Sequence, residues 1–563
     1  MTLIRSFACS VMLLAGATFA TATWAQALAI PSDVDAVAKK YITASTLEAP
    51  IRFLSSDALE GRGPSTPSDT VTRAYLAAEL QGLGYSPAGT NGSYEQLFDV
   101  VGITSKLPEA WSFQTKGGAV DLKRWDDFIG SSGVQQPSSS IKDAELVFVG
   151  YGIEAPEYKW DDFKGADLKG KVLVMLNNDP DWDPKLFEGN RRLYYGRWSY
   201  KYESAARQGA AGVIIVHTTP SAGYPWQVVQ TSWSGEQFEL PAGPEPRIQL
   251  KGWATEPATR RLLDAAGHNL DKLVKAAKSR SFKPVPLGIR TSLSFANEIS
   301  SVKTGNVAGV LPGSDPQLKS EIVVFSAHHD HLGIGEPDAT GDKIYNGAVD
   351  NAAGCGQLLA IAKAFAELPQ RPRRSTLILF VAAEEQGLLG SQYYAQNPTF
   401  PAGKLAANIN YDGGNIRGAT RDVVLIGLGK SSLDAVAKAV AARQGRTLTG
   451  DQFPDRGFYY RSDQFSFAKV GVPALYFDDG TDYVGKPASW GREQEELWEE
   501  KQYHQPSDEI DGTWVYDGMI QDAQLGFFSG WLIAQADEMP TWVPGDEFEA
   551  ARKKALAAVR SGD

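Results

Sequence analysis

The residues best suited to chemistry fall in short clusters along the chain. The stretch "SAHHDHLG" places His328, His329, Asp330 and His331 in consecutive positions, which is three of the six histidines in the sequence. It directly follows the apolar run "EIVVFSA", which reads as a buried strand. Alternation along an extended chain puts His328 and Asp330 on one face and His329 and His331 on the other. A His paired with a carboxylate that orients its second ring nitrogen is a common form of metal ligand. A second apolar run, "STLILFVAA", ends in Glu384 and Glu385. Neighbours on an extended chain point different ways, which suits one carboxylate to a metal and the other to a water. Asp412 ends the run "KLAANINY", and Asp350 stands in "YNGAVDNAAG" just before a helical stretch. Taken singly, each of these two also reads as a turn former or helix cap. Tyr503 and His504 lie together in the loop "KQYHQPSDE".

Taken together these clusters offer His, Asp and Glu donors, with one Glu to spare. Nitrogen and oxygen ligands without sulfur fit zinc, with manganese or cobalt as harder alternatives. Thiolates are not available in numbers, because Cys9 and Cys355 are the sole cysteines. Two ions bridged by one carboxylate would hold a water between them, lower its pKa and polarise a carbonyl. A spare Glu would take the proton of that water and pass it to a leaving amine. The chemistry that follows is hydrolysis of an amide.

The elements that must position these groups read as an α/β sheet. After about residue 290, apolar strand runs alternate with helical ones such as "GQLLAIAKAFAEL" and "SSLDAVAKAVAARQ", which predicts a mostly parallel sheet with helices on both faces. Ligands gather at the carboxyl ends of strands in such sheets, where the His, Glu and Asp clusters stand. From Val34 to Tyr85 the pattern is helical, with Ser68 placed as a cap. From residue 126 to 287 short β-rich runs alternate with Gly, Pro and Asp turns, which reads as a separate module. At 563 residues the chain exceeds one compact core. The expected division is 1–25, 26–125, 126–287, 288–540 and 541–563. The first segment reads as a secretory signal: Arg5 is its sole charge, Phe7 to Phe19 form a short apolar run, and Thr23 and Ala25 precede the cut. The expected location is therefore periplasmic or secreted, with no stable membrane insertion after cleavage. Cys9 leaves with the signal, so the mature chain has no internal disulfide. A net charge of −12 argues against a nucleic-acid partner.

The sequence resembles the two-zinc aminopeptidases of peptidase clan MH, in the branch that also holds glutamate carboxypeptidase and the transferrin receptor. The segments that carry the resemblance are "LSSDALEGRGPSTP", "FVGYGIEAPEYKWDDFKGADLKGKVLV", "SAHHDHLG", "GAVDNAAG", "FVAAEEQGLLGS", "NINYDGG", "RSDQF" and "YHQPSDE". The fold it implies is of the zinc-exopeptidase type, with residues 126–287 as an inserted protease-associated domain. Carried over by position, it implies that His328 and Asp412 bind one zinc, Glu385 and His504 the other, and that Asp350 bridges them through a cis Asp350–Asn351 peptide. Glu384 would be the general base, Asp330 would orient His328, and Tyr503 would donate to the oxyanion of the intermediate. His329 stands where related chains often have an apolar or aromatic residue, and is the alternative ligand to His328.

The implied activity is removal of the amino-terminal residue of peptide substrates. Carboxypeptidase, dipeptidase and glutaminyl-cyclase-like activities on the same site are the alternatives, with Arg456 and Arg461 as candidates to grip a terminal carboxylate. A receptor-like scaffold without catalysis would have broken ligand positions, and these are intact. The aromatic runs "LYYGRWSYKYES" and "AGYPWQVVQTSWSGEQ" either pack a core or roof the cleft.

Overall fold

The computed structural model describes residues 30–561, so the signal expected over 1–25 lies outside the described residues. Its centre is a set of parallel strands. Ile322–His328 lies between Ser375–Val381 and Leu405–Tyr411, parallel to both, and Ala474–Asp478 continues the sheet parallel to Leu405–Tyr411. Asp422–Ile426 closes against Ala474–Asp478 in the antiparallel sense. Successive side chains of the central strand enter different cores. Val323, Phe325 and Ala327 pack with the helices Ala44–Leu54, Gly354–Ala366 and Asp517–Gln535, while Ile322 and Val324 pack with Tyr394 and Phe467 on the other face. A strand covered on both faces needs apolar residues at every position, which is why these runs read as unbroken. Each such side chain contributes about 1.5–3 kcal/mol by leaving water.

The 27-residue strand Val285–Leu311 joins this sheet to the rest of the molecule. Its last residues pair with Ser375–Val381, its middle with Glu95–Lys106 and its first half with Ser138–Phe148. Ser138–Phe148 leads on to Val172–Leu176, Gly212–His217 and Leu250–Thr255, which are parallel to one another, with Phe128–Ser131 antiparallel at the end. The sheet is thus continuous, and the expected boundary at residue 287 falls inside its longest strand.

The helical expectation for the N-terminal region is met by Ser32–Tyr41, Ala44–Leu54 and Pro67–Gly82. The cap of the last is Thr66 and not Ser68: the Thr66 hydroxyl accepts from the Asp69 N–H at 3.2 Å. Pro67 occupies the first helical position, where its missing N–H costs nothing, and this pushes the cap one residue upstream of it. Among the described residues no helix is long and apolar enough to cross a membrane.

Candidate metal centre

The parallel strands end level with one another. His328 is paired with Val381, and Ala327 with Tyr411, so His328, the segment 382–385 and Asp412 leave the sheet at one edge. Beyond that edge alternation no longer applies. The strand stops at His328, and the chain turns with the His329 N–H on the Val381 carbonyl. His331, expected on the far face, therefore swings back into the site, where its Nδ1 donates to Glu385 Oε1 at 2.6 Å. His329 does face away: its Nε2 donates to the Gly305 carbonyl at 3.1 Å. Glu384 and Glu385 likewise follow a bend and not an extended chain, since Ala383 has a left-handed φ of 54°. The Asp350–Asn351 peptide is cis, as the resemblance implied.

Two groups of donor atoms share one carboxylate. His328 Nε2 lies 3.2 Å from Asp350 Oδ1 and 3.2 Å from Asp412 Oδ1. On the other side of the same carboxylate, His504 Nε2 lies 3.4 Å from Asp350 Oδ2 and 3.0 Å from Glu385 Oε2. The His504 nitrogen is buried and makes no hydrogen bond among the described residues despite this proximity. Its other nitrogen, Nδ1, is engaged with Ser232 Oγ at 2.7 Å. An imidazole fixed through Nδ1, with a free Nε2 aimed at carboxylates, has the donor arrangement of a metal ligand. Four acidic groups crowded beneath a cleft are costly unless a cation offsets them. On both counts these residues fit a divalent metal.

Around the donors, several groups hold the loops in place. His328 Nδ1 donates to the backbone carbonyl of Asp330 at 3.2 Å, while the Asp330 carboxylate stands 3.7 Å away, beyond hydrogen-bond reach. That carboxylate instead accepts the N–H groups of Glu384 (3.0 Å) and Glu385 (3.4 Å), so Asp330 ties together the ends of two neighbouring strands. The Asp508 carboxylate accepts the N–H groups of Val349 and Asp350 at 2.9 and 3.0 Å. Buried Arg62, from the "EGRG" stretch, donates to the carbonyls of Leu54, His329, Asn346 and Gly347, stapling the loops on either side of the site. Ser232, 272 positions away from His504, has no local sequence signal that could have identified it.

The two neighbouring glutamates are electrostatically unlike. Burial holds the Glu384 carboxyl well above the usual carboxylate range, with the charges of Asp412 and Glu385 adding to the effect and His328 opposing it. Burial also pushes on Glu385, but His504 and His331 outweigh it and bring that carboxyl down to about 2. Environments that drive two adjacent carboxyls apart make one a persistent anion and the other a proton carrier.

The site floors a cleft of about 220 Å³ whose other wall comes from the middle of the chain. Trp198, Tyr224, Val228, Ser232, Trp233 and Phe238 line it, so the aromatic runs do roof the site as well as pack a core. Tyr503 lies at the cleft with its ring tilted against that of His504, 3.9 Å between centroids, and its hydroxyl accepts from Arg461 Nη2 at 3.2 Å. Of the two arginines considered for a terminal carboxylate, Arg456 is already paired with Glu499.

Comparison with known proteins agrees with this architecture. The leupeptin-inactivating enzyme 1 of Streptomyces exfoliatus is 24% identical over 256 residues, covering 44% of this chain and 52% of that protein. A probable zinc metalloprotease of Pyrenophora teres f. teres is 36% identical over 115 residues, or 20% of this chain and 23% of that one. The chain thus spans about half the length of the first of these relatives and less of the second. Among solved structures, the aminopeptidase from Aneurinibacillus sp. strain AM-1 superposes with a TM-score of 0.51 at 18% identity, over 90% of this chain and 97% of that one, and so has the same fold. Residues 306–525, which hold every proposed ligand, match the model of Peptidase family M28.

Proposed function

We propose that the chain is an exported two-zinc aminopeptidase, with residues 126–287 acting as a protease-associated insertion over its cleft. The observation that supports this most is the division of one carboxylate: Asp350 turns one oxygen to His328 and Asp412 and the other to His504 and Glu385. His328, Asp350 and Asp412 would hold one zinc, and Asp350, Glu385 and His504 the second. When bound, zinc lowers the pKa of a water and polarises a carbonyl. Glu384, buried beside the ligands and easily protonated, takes the proton of the attacking water and returns it to the departing amine. Tyr503 donates its hydroxyl to the developing oxyanion, with Arg461 fixing its position from behind. Asp330 keeps His328 and the glutamate pair in register. The free amino group of a peptide is received by the carboxylates at the site, and the aromatic roof closes over it.

Metal analysis of the purified protein should find about two divalent ions, because the ligands form two sites sharing one carboxylate. Chelation should abolish turnover of an aminoacyl-nitroanilide, zinc or cobalt should restore it, and acetylating the substrate amine should stop cleavage. Full activity after exhaustive chelation would end this reading, and turnover that survives acetylation would favour carboxypeptidase action instead.

A further inference from the structure

A small recess of about 30 Å³ opens beside the catalytic cleft, sharing Arg197, Trp198, Tyr224 and Arg461 with its lining. Four arginines surround it: Arg192 and Arg197 from the middle segment, and Arg456 and Arg461 from the far side of the cleft. Their negative partners are too few. Arg456 is paired with Glu499. Arg461 donates to Tyr503 through Nη2, but its Nη1 is buried without a partner among the described residues. The Arg197 guanidinium has no hydrogen bond or ion pair among the described residues and rests over the Trp198 ring at 5.5 Å.

Arg192 is the most telling of the four. It is 7% exposed, and among the described residues its Nε has no partner and its terminal nitrogens make no hydrogen bond. Asp179 attracts it, but the Asp179 carboxylate accepts the Leu193 N–H at 2.8 Å and forms no ion pair with it. Its stem is threaded between two glycines. A Cβ at Gly196 would come within 2.5 Å of the Arg192 side chain, and one at Gly457 within 3.0 Å. The backbone thus makes room to hold a buried guanidinium in place with Asp179 near it but no ion-pair or hydrogen-bond partner among the described residues. Desolvated like charges without counter-charges are expensive, whereas the planar fork of a guanidinium matches a carboxylate in two parallel bonds.

We propose that this recess binds a carboxylate of the peptide being cut, so that the enzyme favours short or acidic peptides over neutral, amidated ones. The proposal rests on the peptidase reading above. The carboxylate comes either from the carboxyl terminus of a short peptide or from an acidic side chain beside the cleaved bond.

Two sets of matched free-amine peptides decide it. One set differs only in a terminal acid against an amide. The other differs only in Glu against Gln within amidated peptides. The wild-type kcat/KM should favour the acid member of one set by about 10- to 100-fold, as a charge-assisted pair does, and the responding set names the source. Arg197→Gln and Arg192→Gln should bring that ratio towards one, with Arg197→Lys retaining part of it. Equal rates within both sets, or a ratio unmoved by either Gln variant, would overturn the proposal. Should Arg192→Gln not fold, Arg197→Gln at the more exposed rim decides alone. A protein that cuts no peptide refutes the peptidase reading instead, and calorimetric titration with acetylalanine and its amide then reads the recess directly. Binding that does not depend on the carboxylate, or saturation by chloride or sulfate with no preference between the pair, also overturns it.

Discussion

Replacing Glu384 by Gln should stop catalysis while leaving metal binding intact, and replacing Glu385 by Gln should weaken metal binding at one ion site. Glu384 is 8% exposed and its carboxylate makes no hydrogen bond among the described residues, so an isosteric amide leaves no protein donor unpaired. What is lost is proton transfer, which costs about 10²–10⁴-fold in kcat, with KM changing far less. Glu385 differs in its contacts. Its Oε1 accepts from His331 at 2.6 Å and its Oε2 faces His504 at 3.0 Å. Removing its charge forfeits a charge-assisted hydrogen bond of about 1.5–3 kcal/mol, equivalent to about 10- to 100-fold in affinity at one ion site. The assay is zinc content after dialysis, chelator competition, and turnover of an aminoacyl-nitroanilide, run on both variants side by side. If Glu384→Gln loses metal while Glu385→Gln keeps it and merely slows, the assignment is inverted. If neither variant changes turnover, the site itself is wrong.

Ser232→Ala should weaken zinc at the His504 site by about 10- to 100-fold, since the imidazole loses the partner that orients it. Ser232→Thr should restore most of the affinity, and chelator competition curves identical to wild type would contradict this role. Arg62→Ala leaves four buried carbonyls without their shared donor and should cost about 4 kcal/mol or more, read as denaturant midpoint and loss of metal together. His217 is 5% exposed and burial lowers its pKa to about 4, with its Nε2 donating to the Tyr224 carbonyl. A depressed histidine pKa means that the unfolded chain takes up the proton first. Its contribution is therefore present above the ordinary value near 6.5 and is lost as pH falls towards about 4. The stability lost over that interval should be about 3 kcal/mol, and His217→Gln should flatten the thermal-melting profile across it.

The location of the candidate site was legible in the sequence because a parallel sheet delivers the residues at its strand ends to one edge. An apolar run followed by His, Glu or Asp therefore marks both the strand and the edge of the cleft, as at His328, Glu384 and Asp412. Period-two alternation correctly places Val323 and Val324 on opposite faces, because pairing on both sides holds that strand extended. It fails for His331 and for Glu384 and Glu385, because the strands end first and a left-handed Ala383 redirects the chain. That turn is held by Asp330 accepting two N–H groups across strands, a contact that local sequence does not encode. The remaining features depend on chain folded back from far away. Ser232 reaches His504, Arg62 gathers carbonyls from a helix end and two loops, and Arg192 meets Arg456 and Arg461 at a shared recess. Sequence determined which residues could bind metal and move a proton. Tertiary packing alone decided which nitrogen of His504 is free, which glutamate stays charged, and which arginines are left without partners, because each depends on burial and on neighbours hundreds of positions away.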